Sequence, residues 1–260
     1  MLKILLFFIA LYMGVLFYLY FTQNEKIFNF SVVPKKRSSV VEDCKDCKVV
    51  KLQSADALLD GIYKDQNSSK LIIYFGGNSD DATEFIKYCQ NLKDFDIVIF
   101  NYRGNALSTG KPTQNDIFKD SLKIYDTYSK GKDVYLIGRS LGSGVASFLS
   151  SKREIKKLLL ITPYDSIENV AKEKYPFFPI SLLIKQKFNS LEYIKRCKAP
   201  VTVFEVKEDK TVSNERTENL LKMIRNLQKV VIFEDTSHAD ILDSDKFQKE
   251  LLDWLEINED

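Results

Sequence analysis

The sequence has few of the residues that build metal centres, with four cysteines and one histidine among 260 residues. Cys44 and Cys47 form a C-x-x-C pair, but no second such pair exists to complete a zinc site. Four interpretations of the pair remain open: a redox couple, half of a metal site, a small-loop disulfide or two inert thiols. Cys89 and Cys197 fall in regular segments, where buried packing is their expected role.

Net charge is also nearly absent, because 38 basic residues almost cancel 36 acidic residues and leave +2. Nucleic-acid binding needs a basic face or stripe that displaces counterions, so no nucleic-acid partner is expected. Hydrophobic residues make up 45% and charged residues 28%, which provides for a core and a solvated surface and excludes wholesale disorder. Apart from its N-terminus, the chain has the length of one large α/β domain.

Residues 2–21 are apolar or aromatic except for Lys3 and Gly14. Twenty helical residues rise about 30 Å, the thickness of a bilayer core. A cleaved signal peptide would have a shorter apolar core and a small-residue cleavage site, so an uncleaved transmembrane anchor is predicted over residues 1–23. A polar linker over 24–47 and the α/β domain over 48–260 follow. Basic residues flank both ends of the anchor, so their distribution does not decide on which side of the membrane the domain lies.

The domain alternates short apolar runs with segments of helical length. The runs are 70–75 (KLIIYF), 95–100 (FDIVIF), 134–137 (VYLI), 158–161 (LLLI), 201–206 (VTVFEV) and 230–233 (VVIF). Runs of this length are typical of a parallel sheet buried on both faces, which predicts an α/β fold with helices on both faces. Its ligand site should lie at the carboxyl ends of the strands. Residues 163–199 are predicted to form a short helical insertion after the sixth strand of that fold, over the site.

The residues Gly138-Arg139-Ser140-Leu141-Gly142 match the pattern G-x-S-x-G, between the run 134–137 and a helical segment. In this pattern the serine lies on a sharp strand-to-helix turn, and glycines are needed because flanking side chains would collide with that turn. Ser140 is therefore the candidate nucleophile. The alternative is a glycine-rich turn with a bystander serine.

His238, the only histidine, follows the last apolar run and is the candidate base. The loop after 201–206 should supply the acid that orients it, in the chain order Ser, Asp or Glu, His. Asp209 is the predicted acid, with Glu205 and Glu208 as competitors. An isolated surface histidine and an ordinary solvated loop acid are the alternatives for the pair.

A developing negative charge on a substrate oxygen needs two backbone N–H groups directed at it. The N–H group of Leu141, directly after the nucleophile, is one candidate. The other is expected in the turn 76–79 (GGNS) after the first apolar run, where Asn78 is the predicted donor and glycines allow close approach. A plain glycine turn is the alternative there.

Taken in order, several motifs make the chain resemble the membrane-anchored α/β-hydrolase-domain serine hydrolases of the bud-emergence type, whose relatives include protein depalmitoylases. The motifs are GRSLGSG at 138–144, NYRG at 101–104, STGKP at 108–112, TPYDSI at 162–167, EDKTV at 208–212 and SHAD at 237–240. The resemblance implies an α/β-hydrolase fold with Ser140, Asp209 and His238 as triad, and with Asn78 and Leu141 as oxyanion donors. The chain departs from the family at two places. It has Gly76 where the family usually has histidine, and it has Asn105-Ala106 where the family has Tyr-Gly.

The sequence therefore predicts a membrane-anchored serine hydrolase of carboxylic esters or thioesters, acting on acyl-lipid or acyl-protein substrates without metal or organic cofactor. A serine peptidase, a catalytically silent membrane-tethered binding module, and a scaffold that binds a partner through residues 24–48 are the alternatives. The natural substrate and the oligomeric state stay open.

Overall fold

A computed structural model describes residues 1–256, which form one eight-stranded sheet with flanking helices. The strands are β1 (Cys47–Ser54), β2 (Ala57–Lys64), β3 (Lys70–Phe75), β4 (Asp96–Phe100), β5 (Asp133–Arg139), β6 (Lys157–Ile161), β7 (Val201–Val206) and β8 (Leu227–Phe233). They lie in the order β1-β2-β4-β3-β5-β6-β7-β8. The pairs β1–β2 and β2–β4 are antiparallel, and the other pairs are parallel.

The α-helices within the described residues are numbered in chain order. They are α1 (Leu2–Ile27), α2 (Ser39–Glu42), α3 (Ile86–Cys89), α4 (Gln114–Tyr128), α5 (Leu141–Ser150), α6 (Ile167–Lys174), α7 (Ile180–Leu183), α8 (Ser190–Ile194), α9 (Asn214–Leu221) and α10 (Asp245–Glu256). Short 3₁₀ turns occupy Phe30–Val32, Ala82–Phe85 and Ile241–Asp243.

Each face of the sheet carries its own hydrophobic core. Helices α4, α5, α8 and α9 pack on one face, and α3 and α10 pack on the other. Strands β3 to β7 are buried on both faces, and this explains why they appear in the sequence as continuous apolar runs. The predicted mostly parallel sheet with helices on both faces is confirmed, as is the insertion after the sixth strand, which forms α6 to α8.

The N-terminal part of the chain adds structure that the sequence analysis left out. The hairpin of β1 and β2 extends the sheet at one edge, and α1 continues to Ile27. Beyond α1, the side chains of Phe28, Phe30, Val33 and Val41 are buried against the body. Residues 28–41 therefore contribute to the cores and do not run free from helix to domain.

Helix α1 is the one helix within residues 1–256 that is long and apolar enough to cross a membrane. Most of its large apolar side chains are exposed, from Leu2 to Phe21. Its last turns contact the body, where Leu19 and Gln23 are buried.

The four cysteines differ in state. Cys44 and Cys47 are joined in a disulfide, whereas Cys89 and Cys197 are free and buried. Burial raises the pKa of the Cys89 thiol to about 12, so that thiol stays protonated at neutral pH.

Candidate active site

Ser140 lies on the turn between β5, in the middle of the sheet, and α5. Its backbone has φ of +48°, a left-handed conformation that non-glycine residues rarely adopt. A Cβ at Gly138 would lie 2.4 Å from the carbonyl oxygen of Gly142, and a Cβ at Gly142 would lie 2.1 Å from that of Phe75. Both glycines are therefore required by the close approach of backbone around the turn.

His238 lies in the loop after β8 and bonds to Ser140 across the carboxyl ends of the strands. Its Nε2 is 2.9 Å from Ser140 Oγ, and its Nδ1 is 2.6 Å from Asp209 Oδ2. The imidazole is largely buried, with 10% of the side chain exposed. The structure thus brings together the three side chains that the sequence analysis selected.

Asp209 is the one of the three candidate acids that reaches His238. Its Oδ1 accepts hydrogen bonds from the backbone N–H groups of Thr211 and Val212, at 2.8 and 2.9 Å. These bonds hold the carboxylate so that Oδ2 faces the imidazole. Glu208 is exposed, and the carboxylate of Glu205 accepts instead from the side-chain amide of Asn214.

The two predicted oxyanion donors follow neighbouring strands. Phe75 of β3 is paired in register with Gly138 of β5, and Asn78 and Leu141 each come three residues later. They therefore lie at the same edge of the sheet. The side-chain amide of Asn78 donates to the carbonyl oxygen of Ile27, at 3.3 Å, so it is directed at the end of α1. The backbone N–H of Asn78 is then the group that this residue could offer to an oxyanion.

Arg139 is a residue of the site that the sequence analysis missed. Its buried guanidinium donates to the carbonyl oxygens of His238 and Ala239, at 3.1 and 3.0 Å, and forms an ion pair with Asp80. The same Asp80 carboxylate accepts from the N–H of Gly77, at 2.9 Å. Burial lowers the pKa of Arg139, but nearby Tyr74 and Asp80 more than offset it, so the pKa is raised and the cation persists. Arg139 and Asp80 thus connect the loop that carries His238 to the turn 76–79.

Substitution of Arg139 by Met should lower kcat by about 10²-fold with a smaller change in KM, because a displacement of the imidazole by about 1 Å has an effect of that size. Steady-state kinetics on a short soluble ester would measure the change in kcat and the change in KM separately. Asp80→Asn, which weakens only the tie to the glycine turn, should cost less. A rise in KM with unchanged kcat would contradict the positioning role of Arg139.

Comparison with known proteins gives sequence relatives of modest identity, and no family model matches the chain. A protein of Acanthamoeba polyphaga mimivirus named as an α/β hydrolase is 28% identical over 202 residues, which cover 72% of this chain and 74% of that protein. The bovine lysophosphatidylserine lipase ABHD12 is 33% identical over 137 residues, 45% of this chain. That match spans only 34% of the bovine protein.

Solved structures share the fold at lower identity. The Pyrococcus furiosus esterase Pf2001 has a TM-score of 0.67 at 18% identity, covering 86% of this chain and 96% of the esterase. An α/β hydrolase from Vibrio vulnificus has a TM-score of 0.70 at 16% identity, covering 90% of this chain and 91% of that protein. The names of the sequence relatives support a hydrolase activity. The chain therefore has the α/β-hydrolase fold, and its sequence relatives include a protein named as an α/β hydrolase.

Proposed function

We propose that the chain is a membrane-anchored serine hydrolase that cleaves carboxylic esters or thioesters through an acyl-enzyme. The observation that carries the proposal is the imidazole of His238, bonded on one side to Ser140 Oγ and on the other to Asp209. A bystander serine or a surface histidine would have no reason to share this geometry.

In the proposed reaction, Ser140 Oγ attacks the carbonyl carbon while His238 Nε2 takes the hydroxyl proton. Asp209 stabilises the imidazolium that forms. The N–H groups of Leu141 and Asn78 stabilise the negative oxygen of the tetrahedral intermediate. His238 then donates its proton to the leaving alcohol or thiol, which departs and leaves the acyl group on Ser140. Water, deprotonated by His238, releases the acid and restores the serine.

Acyl substrates are favoured over peptides by the surroundings of the site. The apolar helix α1 ends beside the glycine turn, where Asn78 bonds to Ile27. The bovine relative carries the name lysophosphatidylserine lipase, and a lysophospholipid is an acyl ester. Both points support an ester or thioester of a fatty acyl chain as the substrate class.

A fluorophosphonate probe tests the proposal, because it reacts with serines that an adjacent base activates. Native full-length protein in mild detergent should be labelled, and peptide mapping should locate the label at Ser140. Heat-denatured protein is the control and should not be labelled. Native protein that resists the probe and hydrolyses no acyl ester would favour the silent binding module. Cleavage of an acyl amide at the same rate as the matching ester would favour the peptidase.

The anchor has a separate test in the same preparation. Insertion of a helix whose residues 2–21 are almost all apolar is effectively irreversible, so the full-length protein should stay with membranes through high salt and alkaline washing. A variant that lacks residues 1–18 keeps Leu19 and Gln23, which pack on the body, and should be released. Recovery of the full-length protein in the wash would contradict the anchor and leave the hydrolase assignment standing.

A further inference from the structure

The insertion between β6 and β7 carries an apolar tip at residues 175–184. These ten residues, Tyr-Pro-Phe-Phe-Pro-Ile-Ser-Leu-Leu-Ile, contain no charged side chain. Lys172 and Lys174 precede the tip, and Lys185 and Lys187 follow it. Phe177 and Leu182 are each 85% exposed, so most of the surface of these two apolar side chains is left uncovered by the rest of the described chain. A soluble surface seldom presents such a patch without a partner.

Contacts with α1 fix the level of the tip along that helix. Gln23 near the end of α1 donates to the carbonyl oxygen of Leu183 at 3.0 Å. Eleven residues earlier, the hydroxyl of Tyr12 donates to the carbonyl oxygen of Phe177 at 3.2 Å, and its ring stacks on Phe178. At 1.5 Å per residue these two levels are about 16 Å apart. If α1 crosses a membrane, Phe177 lies about halfway through a hydrocarbon core of about 30 Å.

Several polar backbone groups of the tip have internal partners or are missing, as an environment without water requires. Pro176 and Pro179 have no N–H group to satisfy. The N–H of Phe178 donates to the carbonyl oxygen of Tyr175, at 3.1 Å. The carbonyl groups of residues 177 and 183 are those bound by the side chains of α1.

Two lysines, one beside the tip and one on α1, lie where the surface of a membrane would be. The ammonium group of Lys185 is 3.8 Å from the ring centroid of Tyr20, near the end of the apolar part of α1. Lys26 lies 5.0 Å from the ring of Tyr18. Lysines and tyrosines at one level, with an uncharged segment on one side, are typical of the boundary between headgroups and acyl chains.

From these observations we infer that the insertion tip, residues 175–184, is immersed in the hydrocarbon of the bilayer beside α1. The inference rests on the proposed function in one respect, the role of α1 as membrane anchor. The catalytic body then lies against the membrane surface and is not held away from it on a stalk. An ester whose acyl chain stays in the bilayer would reach Ser140 without crossing water.

Depth-dependent quenching tests the inference on the full-length protein. The free cysteines Cys89 and Cys197 are buried, so Phe177→Cys offers an accessible thiol for an environment-sensitive fluorophore. The labelled protein is placed, one copy per disc, in phosphatidylcholine nanodiscs. A matched label at Ile232→Cys, an exposed apolar position of the edge strand β8, is the control.

Lipids with a nitroxide in the middle of the acyl chain should quench the label at 177 at least about threefold more than the label at 232. Aqueous iodide should show the opposite order. If iodide quenches the label at 177 as strongly as it quenches the label at 232, the inference is overturned. A label shielded from both quenchers would also overturn it, because protein would then cover the tip. One copy per disc excludes a second copy as the cover.

Activity gives a second readout with its own control. Phe177→Asp combined with Leu182→Asp should raise the KM for a long-chain ester in vesicles by about tenfold or more, because carboxylates are costly inside the bilayer. The kcat/KM for a short soluble ester should be unchanged, which also shows that the variant folds. Equal KM values for variant and wild type in vesicles would overturn the inference. Wild-type protein inactive on every ester would instead contradict the proposed function, while the quenching result would still stand.

Discussion

Replacement of Ser140 by Ala should lower turnover of a short soluble ester by a factor on the order of 10⁶, the loss found when the nucleophile of a comparable triad is removed. The fold should survive, because alanine is smaller than serine and removes only the Oγ atom that bonds His238. The left-handed backbone at residue 140 is unusual for any residue other than glycine, so alanine relieves none of it and serine gains no special tolerance. The measurements are the kcat on the ester and the extent of fluorophosphonate labelling.

Ser147→Ala is the matched control for this prediction. Ser147 lies on α5, two turns beyond Ser140, and its hydroxyl donates to the carbonyl oxygen of Ser143. It is buried and makes no bond to His238. That variant should keep near-normal turnover. Near-normal activity in Ser140→Ala would instead show that another group is the nucleophile.

The turn around Ser140 could be predicted from sequence because its requirements are local. Two glycines spaced four residues apart, a preceding apolar run and a following helical segment are all visible within about fifteen residues. The chain also contains a single histidine, so the choice of base needed no structure. The acid was a choice among three carboxylates, and only the bonds from Thr211 and Val212 show which one is held toward the imidazole.

The hairpin of β1 and β2 was missed because its stability comes from distant partners. Strand β2 buries two charged side chains, Asp60 and Lys64, and these interrupt the apolar pattern. Both carboxylate oxygens of Asp60 accept hydrogen bonds from the guanidinium of Arg37, at 2.8 and 2.9 Å. The ammonium of Lys64 donates to the carbonyl oxygens of residues 90 and 92. The residues of β2 alone do not indicate either set of partners.

Arg139 escaped prediction for a similar reason. Within G-x-S-x-G it occupies a position that the pattern leaves free, yet it binds the backbone of residues 238 and 239, about a hundred positions along the chain. The contact of α1 with the insertion is also long-range, since Gln23 and Leu183 are 160 residues apart. Local patterns therefore identified the groups proposed to do the chemistry. The contacts that position them became visible only in the folded chain.

Replacement of Asp209 by Asn should lower kcat by about 10⁴ through the tautomer of His238, with little change in fold. The amide oxygen of asparagine can still accept from the N–H groups of Thr211 and Val212, which directs its NH₂ group at His238 Nδ1. Nδ1 must then accept, the ring proton moves to Nε2, and Nε2 can no longer take the proton of Ser140.

The neighbouring exposed carboxylate provides the control, because Glu208→Gln makes the same chemical change one residue earlier and should leave kcat within about twofold, as expected for a group outside the triad. Both variants should be compared by kcat on a short soluble ester and by thermal unfolding. If Glu208→Gln lost its activity while Asp209→Asn kept it, the acid of the triad would be Glu208. Equal, small losses in both would mean that His238 needs no carboxylate partner, which its 2.6 Å contact with Asp209 argues against.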